Sequence, residues 1–334
     1  MNADIVDLDY ESYLFDPNYN EASVQVINKR KWLEFVYFFI ENSSDSILKN
    51  HLSYSDEYLE YLKNLGVKIP ILDPEAREVQ YWWGKRLNLK LEQELNSKIT
   101  SSKMAQSLSL GFYQGHFVVS KDDLVEKIKL NNKCSKWMLR NPYSFSGIGN
   151  KIVLASEVES IKPFNNECLL EPFYDRLCDI GTTIFFDQQS WSPNGIIREM
   201  FVVENFNSDK GQFSGGRGFR NLEKFAEYFH DKYKLKVDYI FPILEKIALE
   251  YYSLGARDSI QIDSFFYFDA KKEIQFYPLV EVNYRKTMGQ FIKKVADIFN
   301  RDHLEVYFNY RTQKEDSSTM RLSPKDHPIT VLMR

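Results

Sequence analysis

The chain has 334 residues, long enough for about two domains, and its 43% apolar and 27% charged content is ordinary for a globular protein. Its 43 basic and 47 acidic residues are interspersed and sum to −4, and no basic tract of the kind that neutralises a phosphate backbone occurs, which argues against a nucleic-acid partner. The three cysteines, Cys134, Cys168 and Cys178, are odd in number and lack metal-ligand spacing, so free thiols in a reducing cytoplasm are expected.

The N-terminus, MNADIVDLDYESY, is acidic and has no basic-then-apolar leader pattern. The most apolar run, WLEFVYFFI at 32–40, is interrupted by Glu34 and is too short to span a bilayer, so a cytoplasmic chain without membrane contact is expected. That run reads as a buried strand or the start of a core helix. Residues 1–94 form an α/β unit: Ser55 caps a helix with Tyr58, Leu59, Leu62 and Leu65 on one face, Gly66 ends it, and VKIPIL follows as a strand. Residues 77–108 read as mostly helical, then Phe117–Val119 as a strand, then a helix opened by Ser120 and Asp123.

WMLR at 137–140 reads as a strand entering a Ser/Gly turn, and KIVLA at 151–155 leaves it. Further strands are expected at 169–172, 181–187 and 196–204. GQFSGGRGF at 211–219 holds four of the 14 glycines and reads as a mobile or tightly turning loop. Helices are expected at 221–233 and 237–254, with Pro242 kinking the second or marking its true start. IDSFFYF and EIQFYPLVEVN form a hairpin around Asp269–Lys272, and the tail from 311 is polar and extended.

Chemistry gathers in LVEVNYRKTMG at 279–289. Glu281 and Asn283, two apart on a strand, point to the same face, and both offer the oxygen ligands a hard cation such as Mg²⁺ prefers. Arg285 and Gly289 follow. Carboxylate, carboxamide and guanidinium side by side suit a metal-bridged polyphosphate. The five histidines are scattered, so no Ser–His–Asp set is indicated.

Four segments stand upstream in a particular order: LNSKITSSKMAQSLSLGF (95–112), WMLRNPYSFSGIGNKIV (137–153), LLEPFYDRLCDIGTTIFF (169–186) and DSIQIDSFFYFDAKKEIQFYPLVEVNYRKTMG (258–289). In order and spacing they resemble the ATP-grasp superfamily over about residues 95–295. The resemblance implies an α/β chain with an ATP-grasp fold preceded by a small Rossmann-like unit. The divisions are 1–94, a small lobe at 95–172 with the phosphate loop, and a large lobe at 173–334 with the metal site. It implies ATP and Mg²⁺ as cofactors. Lys98 and Arg140 match the phosphate-contacting cations; the second is usually lysine, and Lys136 on the same strand face competes for its role. Ser144, Ser146, Gly147 and Gly149 match the phosphate-covering loop. Glu171 and Phe173 match the hinge whose backbone reads adenine. Asp179, with Asp175 as competitor, matches the ribose-binding acid.

Asp263, Glu281 and Asn283 are the implied magnesium ligands. The gap between the first two is longer than is usual, which is assigned to a longer hairpin with a bulge near Pro278; Asp269 would restore the usual gap but falls in the turn. Arg285 matches the arginine near the γ-phosphate, and Gly289 could offer its N–H to a developing oxyanion. The implied activity is an ADP-forming ligase that joins a small-molecule carboxylate to an amine through an acyl phosphate. A homodimer is compatible with it. The alternatives are a nucleotide-binding regulatory or scaffold protein with a degenerate site, or an ATP-grasp kinase or carboxylase-like enzyme with another acceptor.

Overall fold

Three sheets organise the chain, each with its own apolar cluster. The computed structural model describes residues 2–16, 33–110, 115–131, 134–143, 150–187, 195–208, 213–309, 319–327 and 329–334.

The first sheet is parallel. It is built from β1 (Ala3–Ile5), β2 (Ile47–Leu48), β3 (Ile71–Leu72) and β4 (Val79–Tyr81) in the order β3-β2-β1-β4. Helices α1 (Tyr10–Phe15), α2 (Val36–Glu41) and α3 (Asp56–Asn64) connect it. The apolar run at 32–40 resolves into α2, whose residues Val36 to Ile40 are all buried. A segment buried all round has no readable period, which is why strand and helix were both open. Ser55 caps α3 by accepting from the Tyr58 N–H at 3.2 Å.

The expected helical stretch at 77–108 is corrected. Val79–Tyr81 is instead β4, paired in parallel with β1, and helix begins only at α4 (Leu89–Asn96). A break at Ser97 then starts α5 (Lys98–Ser107), with the Ser97 hydroxyl accepting from the Ile99 and Thr100 N–H groups. That cap makes Lys98 the first residue of a helix rather than the middle of one.

The second sheet, β5-β8-β6-β7, is antiparallel. It contains β5 (His116–Val118), β6 (Lys136–Arg140), β7 (Lys151–Leu154) and β8 (Cys168–Pro172), with α6 (Lys121–Leu130) packed against it through Leu124 and Ile128.

The third sheet has eight antiparallel strands in the order β13-β12-β9-β10-β11-β14-β16-β15. The strands are β9 (Asp175–Phe186), β10 (Ile197–Asn207), β11 (Phe213–Phe219), β12 (Ser259–Phe268), β13 (Ile274–Asn283), β14 (His303–Asn309), β15 (Met320–Arg321) and β16 (Thr330–Met333). On one face, Ile180, Ile184, Val202, Ile260, Ile262 and Val282 share a cluster with residues of α7 (Leu222–Tyr233) and α8 (Ile240–Leu254). On the other, Phe201, Val203 and Val306 pack with α9 (Met288–Ile298) and the first unit, where Phe35 and Phe39 meet the Phe291 ring edge-on.

Two further expectations change. Residues 213–219 of the glycine-rich segment are a central strand, not a loop; residues 211 and 212 lie outside the described set. A Cβ on Gly218 would stand 2.5 Å from Phe201 Cζ and 2.7 Å from Ile292 Cγ2, and one on Gly216 would strike Val203. Here glycine lets α9 lie close on the sheet, not the chain turn. Helix α8 begins at Ile240, so Pro242 falls in its first turn, where a missing N–H costs little.

On β12 and β13 the register shifts after Asp263. Asp263 faces Glu281, but Phe265 faces Tyr277, so Ser264 alone opposes Pro278, Leu279 and Val280. This bulge sets Asp263 directly across from Glu281 despite their separation in sequence.

Candidate functional site

Glu281 is the hub of a buried charge cluster. Its Oε2 lies 2.7 Å from Lys98 Nζ and 2.9 Å from an Arg140 terminal nitrogen. The two cations arrive from opposite directions, Lys98 from the start of α5 and Arg140 from the end of β6. The Lys98 backbone N–H donates to Pro142 O at 3.1 Å, which joins those two elements. Arg140 also donates to Glu171 Oε2 at 3.0 Å, and Tyr277 donates its hydroxyl to the other oxygen of Glu171 at 2.7 Å. One guanidinium therefore bridges carboxylates on two different sheets.

Asp263 and Asn283 complete the oxygen donors. Asn283 Nδ2 donates to Asp263 at 2.9 Å, leaving the amide oxygen for another partner, and Gln261 Nε2 donates to Asp263 at 2.7 Å. Burial, and then the Glu281 charge, push the Asp263 carboxyl up to about 7. Burial would raise Glu281 too, but Lys98 and Arg140 overcome it and hold that carboxyl down at about 2. For Lys98, burial outweighs the attraction of Glu281, and Arg140 adds to it, so its pKa is lowered. Burial also acts against Arg140, but Glu171 and Glu281 outweigh it, and its pKa is raised.

The donor set fits a hard cation. Two carboxylates in register and a carboxamide two residues on present oxygen atoms to one patch, where burial and then the Glu281 charge raise the Asp263 carboxyl. Among the described residues no cluster of three or more His, Cys, Asp or Glu is placed to hold a metal ion, and the third oxygen beside the two carboxylates is that of the Asn283 carboxamide.

Arg285, just past β13, forms a buried ion pair with Glu11 of α1 and acts electrostatically on both Asp263 and Glu281. Gly289 lies in the first turn of α9, where a Cβ would strike Gln261 Oε1 and come within 3.0 Å of Thr183 Oγ1. Lys98, Arg140, Asp263, Glu281, Asn283 and Arg285 are thus brought together.

Other candidates fall elsewhere. Glu171 turns its side chain to Arg140, so only its backbone is left for a hinge role. Phe173 is partly exposed, and Lys136 Nζ sits 3.6 Å over its ring, which takes Lys136 away from Glu281. Asp179 is inside β9, not at a strand start as expected, because the strand already begins at Asp175. It is held by Arg176 and Asn207, both at 2.6 Å, one same-face step from Gly181, which pairs with Asp263. Asp175 faces Lys272 at 3.4 Å. Asp269 accepts the N–H groups of Lys271 and Glu273 in the hairpin turn, away from the cluster. Ser144, Ser146, Gly147 and Gly149 lie outside the described residues.

Sequence reasoning missed Glu11, Tyr277 and Gln261. Only Gln261 carried a signal, since it stands two before Asp263 on the same strand face.

No family model and no curated protein match the chain. Solved structures do. Biotin carboxylase from Campylobacter jejuni, in complex with β,γ-ATP, is 10% identical with a TM-score of 0.53, over 90% of this chain and 84% of that one. N5-carboxyaminoimidazole synthetase from Staphylococcus aureus, complexed with ADP, is 11% identical at 0.47, over 83% and 80%. D-alanyl-alanine synthetase A from Vibrio cholerae is 14% identical at 0.42, over 74% and 68%. These are ATP-grasp proteins, and the likeness to the first shows that this chain has the ATP-grasp fold. Among the described residues no helix is long and apolar enough to cross a membrane.

Proposed function

We propose that the chain is an ATP- and Mg²⁺-dependent ligase that joins a carboxylate to an amine and forms ADP. One observation carries the reading: Lys98 and Arg140 converge on Glu281 beside Asp263 and Asn283, so phosphate-binding cations and cation-binding oxygens share one strand end.

Each residue then has a task set by its chemistry. Lys98 and Arg140 present an ammonium and a guanidinium fork to phosphate oxygens, exchanging Glu281 for a more highly charged partner. Glu281, Asn283 and Asp263 would hold Mg²⁺, which when bound neutralises charge on the phosphates. The substrate carboxylate attacks the γ-phosphorus in line, the bond to ADP breaks, and ADP leaves with the electron pair. Arg285 stabilises the charge that develops there, and the first turn of α9 offers the Gly289 N–H. The amine nitrogen then attacks the acyl carbon. The C–N bond forms, phosphate leaves with the C–O electron pair, and the proton goes to solvent. No protein nucleophile is required, because positioning and charge stabilisation carry the chemistry.

A screen of carboxylates and amines for ADP release tests the reading. ADP with inorganic phosphate is expected; AMP with pyrophosphate would remove it.

A further inference from the structure

No motif marks the acceptor, but the first sheet indicates where it sits. The order β3-β2-β1-β4 reverses between β1 and β4, and open parallel sheets take ligands beyond the carboxyl ends of their strands at such a reversal. Beyond β1 stand Asp7, Asp9 and Glu11; beyond β4 stand Trp83 and Arg86, all buried. Arg86 pairs with Asp7 at 3.2 Å and with Asp9 at 3.3 Å. Glu92 accepts from Tyr10 and from the Leu87 and Asn88 N–H groups. Glu11 faces Arg285. Burial pushes the Asp7 carboxyl up to about 7, so Asp7, Asp9, Glu11 and Glu92 against Arg86 and Arg285 leave a surplus of between one and two negative charges.

Two groups there have unmet valence. Arg285 compensates Glu11 Oε1, but among the described residues Glu11 Oε2 has no hydrogen-bond donor and the Trp83 indole N–H has no acceptor. Glu11 is 9% exposed and Trp83 1%. A buried polar atom left so costs about 1–3 kcal/mol, which a ligand recovers. The walls already favour cations: Arg86 lies 3.8 Å over the Tyr81 ring and 4.6 Å over Tyr13, and Arg285 lies 5.8 Å over Trp83. The segment after β1, VDLDYE, which runs into the first turn of α1, holds no glycine and three acids, so it repels a phosphate instead of cradling one.

Resting on the ligase reading, we infer that the amine substrate is a cation, carrying an ammonium or guanidinium group besides its reacting amine, and that Glu11 anchors it. The unused Trp83 N–H calls for an acceptor atom on the same molecule, and basic amino acids are the simplest compounds with both features. Through Arg285, Glu11 stands next to the proposed γ-phosphate position, so a ligand on Glu11 lies beside the acyl group.

Calorimetric titration of the full chain, saturated with Mg²⁺ and a non-hydrolysable ATP analogue, tests this with lysine, ornithine, arginine and putrescine against alanine, glutamate and phosphoethanolamine. At least one cationic compound is expected to bind and to raise ADP release with ATP, and Glu11→Gln should weaken it tenfold or more at unchanged affinity for the analogue. Binding confined to the neutral, anionic or phosphorylated set, or no binding by any compound, overturns the inference. So does a folded Glu11→Gln variant with unchanged affinity, which would make the ion pair purely structural. If Glu11→Gln does not fold, Trp83→Phe decides: weaker binding supports the inference and equal binding overturns it. Failure of the wild type to bind the ATP analogue would instead sink the ligase reading.

Discussion

Asp263 and Glu281 stand directly opposite each other on β12 and β13, two carboxylates on one buried patch, one pushed up to about 7 and the other held at about 2. Because Asp263 titrates above its ordinary 3.8, the folded chain keeps a proton that the unfolded chain releases. Its contribution to stability is intact below the ordinary value and is lost as pH rises through about 7, at roughly 1.4 kcal/mol per pH unit. Wild type and Asp263→Asn should therefore melt alike near pH 4 on the same scale, about three units below the loss, and the variant should be the more stable at about pH 8. Parallel melting curves across that range would refute the assignment.

Glu281→Gln should fold but lose ADP release by about 10²–10³-fold, because it removes the charge on which Lys98, Arg140 and the proposed cation converge. The control is Asp269→Asn, which loosens the turn by about 1 kcal/mol and should leave turnover intact. If Asp269→Asn abolished turnover and Asp263→Asn did not, the ligand would have to move to the hairpin.

Arg140→Ala leaves Glu171 and Glu281 without their shared cation, and a loss of about 3–5 kcal/mol in denaturant unfolding is expected. Arg140→Lys keeps the charge but cannot span both acids, so an intermediate loss is expected. Equal stability of Arg140→Lys and wild type would show that the bridge contributes nothing.

Gly218→Ala should destabilise by about 1–3 kcal/mol, since the new methyl meets Phe201 and Ile292 and lifts α9. Nucleotide turnover should fall as well, because α9 begins at the proposed site. A neutral result in thermal melting would mean the helix can shift at no cost.

The site strand was legible because its chemistry is local: Glu281 and Asn283 are two residues apart, a strand gives them a shared side, and Arg285 follows just past the strand end. The capped helices at Ser55 and Ser120 were legible for the same reason, each cap acting within four residues. What stayed hidden is long-range. The strand at 213–219 is held by neighbours on both sides and a helix above, none of which its glycines announce. Strand β4 exists because β1 pairs with it, and the helical reading of 77–108 had no access to that partner. Glu11 sits far from every motif in sequence and meets the site through its ion pair with Arg285 and its charge acting on Lys98.

Residues 280–286, which begin in the third sheet, reach β6 of the second sheet, the helices α5 and α4, and Trp83 just past β4 of the first. Val280 O accepts from Arg140, the Val282 N–H donates to Ser101, the Tyr284 N–H to Asn96, and the Lys286 N–H to Trp83 O. The partners lie 140, 181 and 188 residues away for the first three contacts. Contacts of such separation form late, after shorter loops have closed. The proposed site is therefore expected to assemble late in folding, and a chain with any one sheet unformed has its residues but no place where they meet.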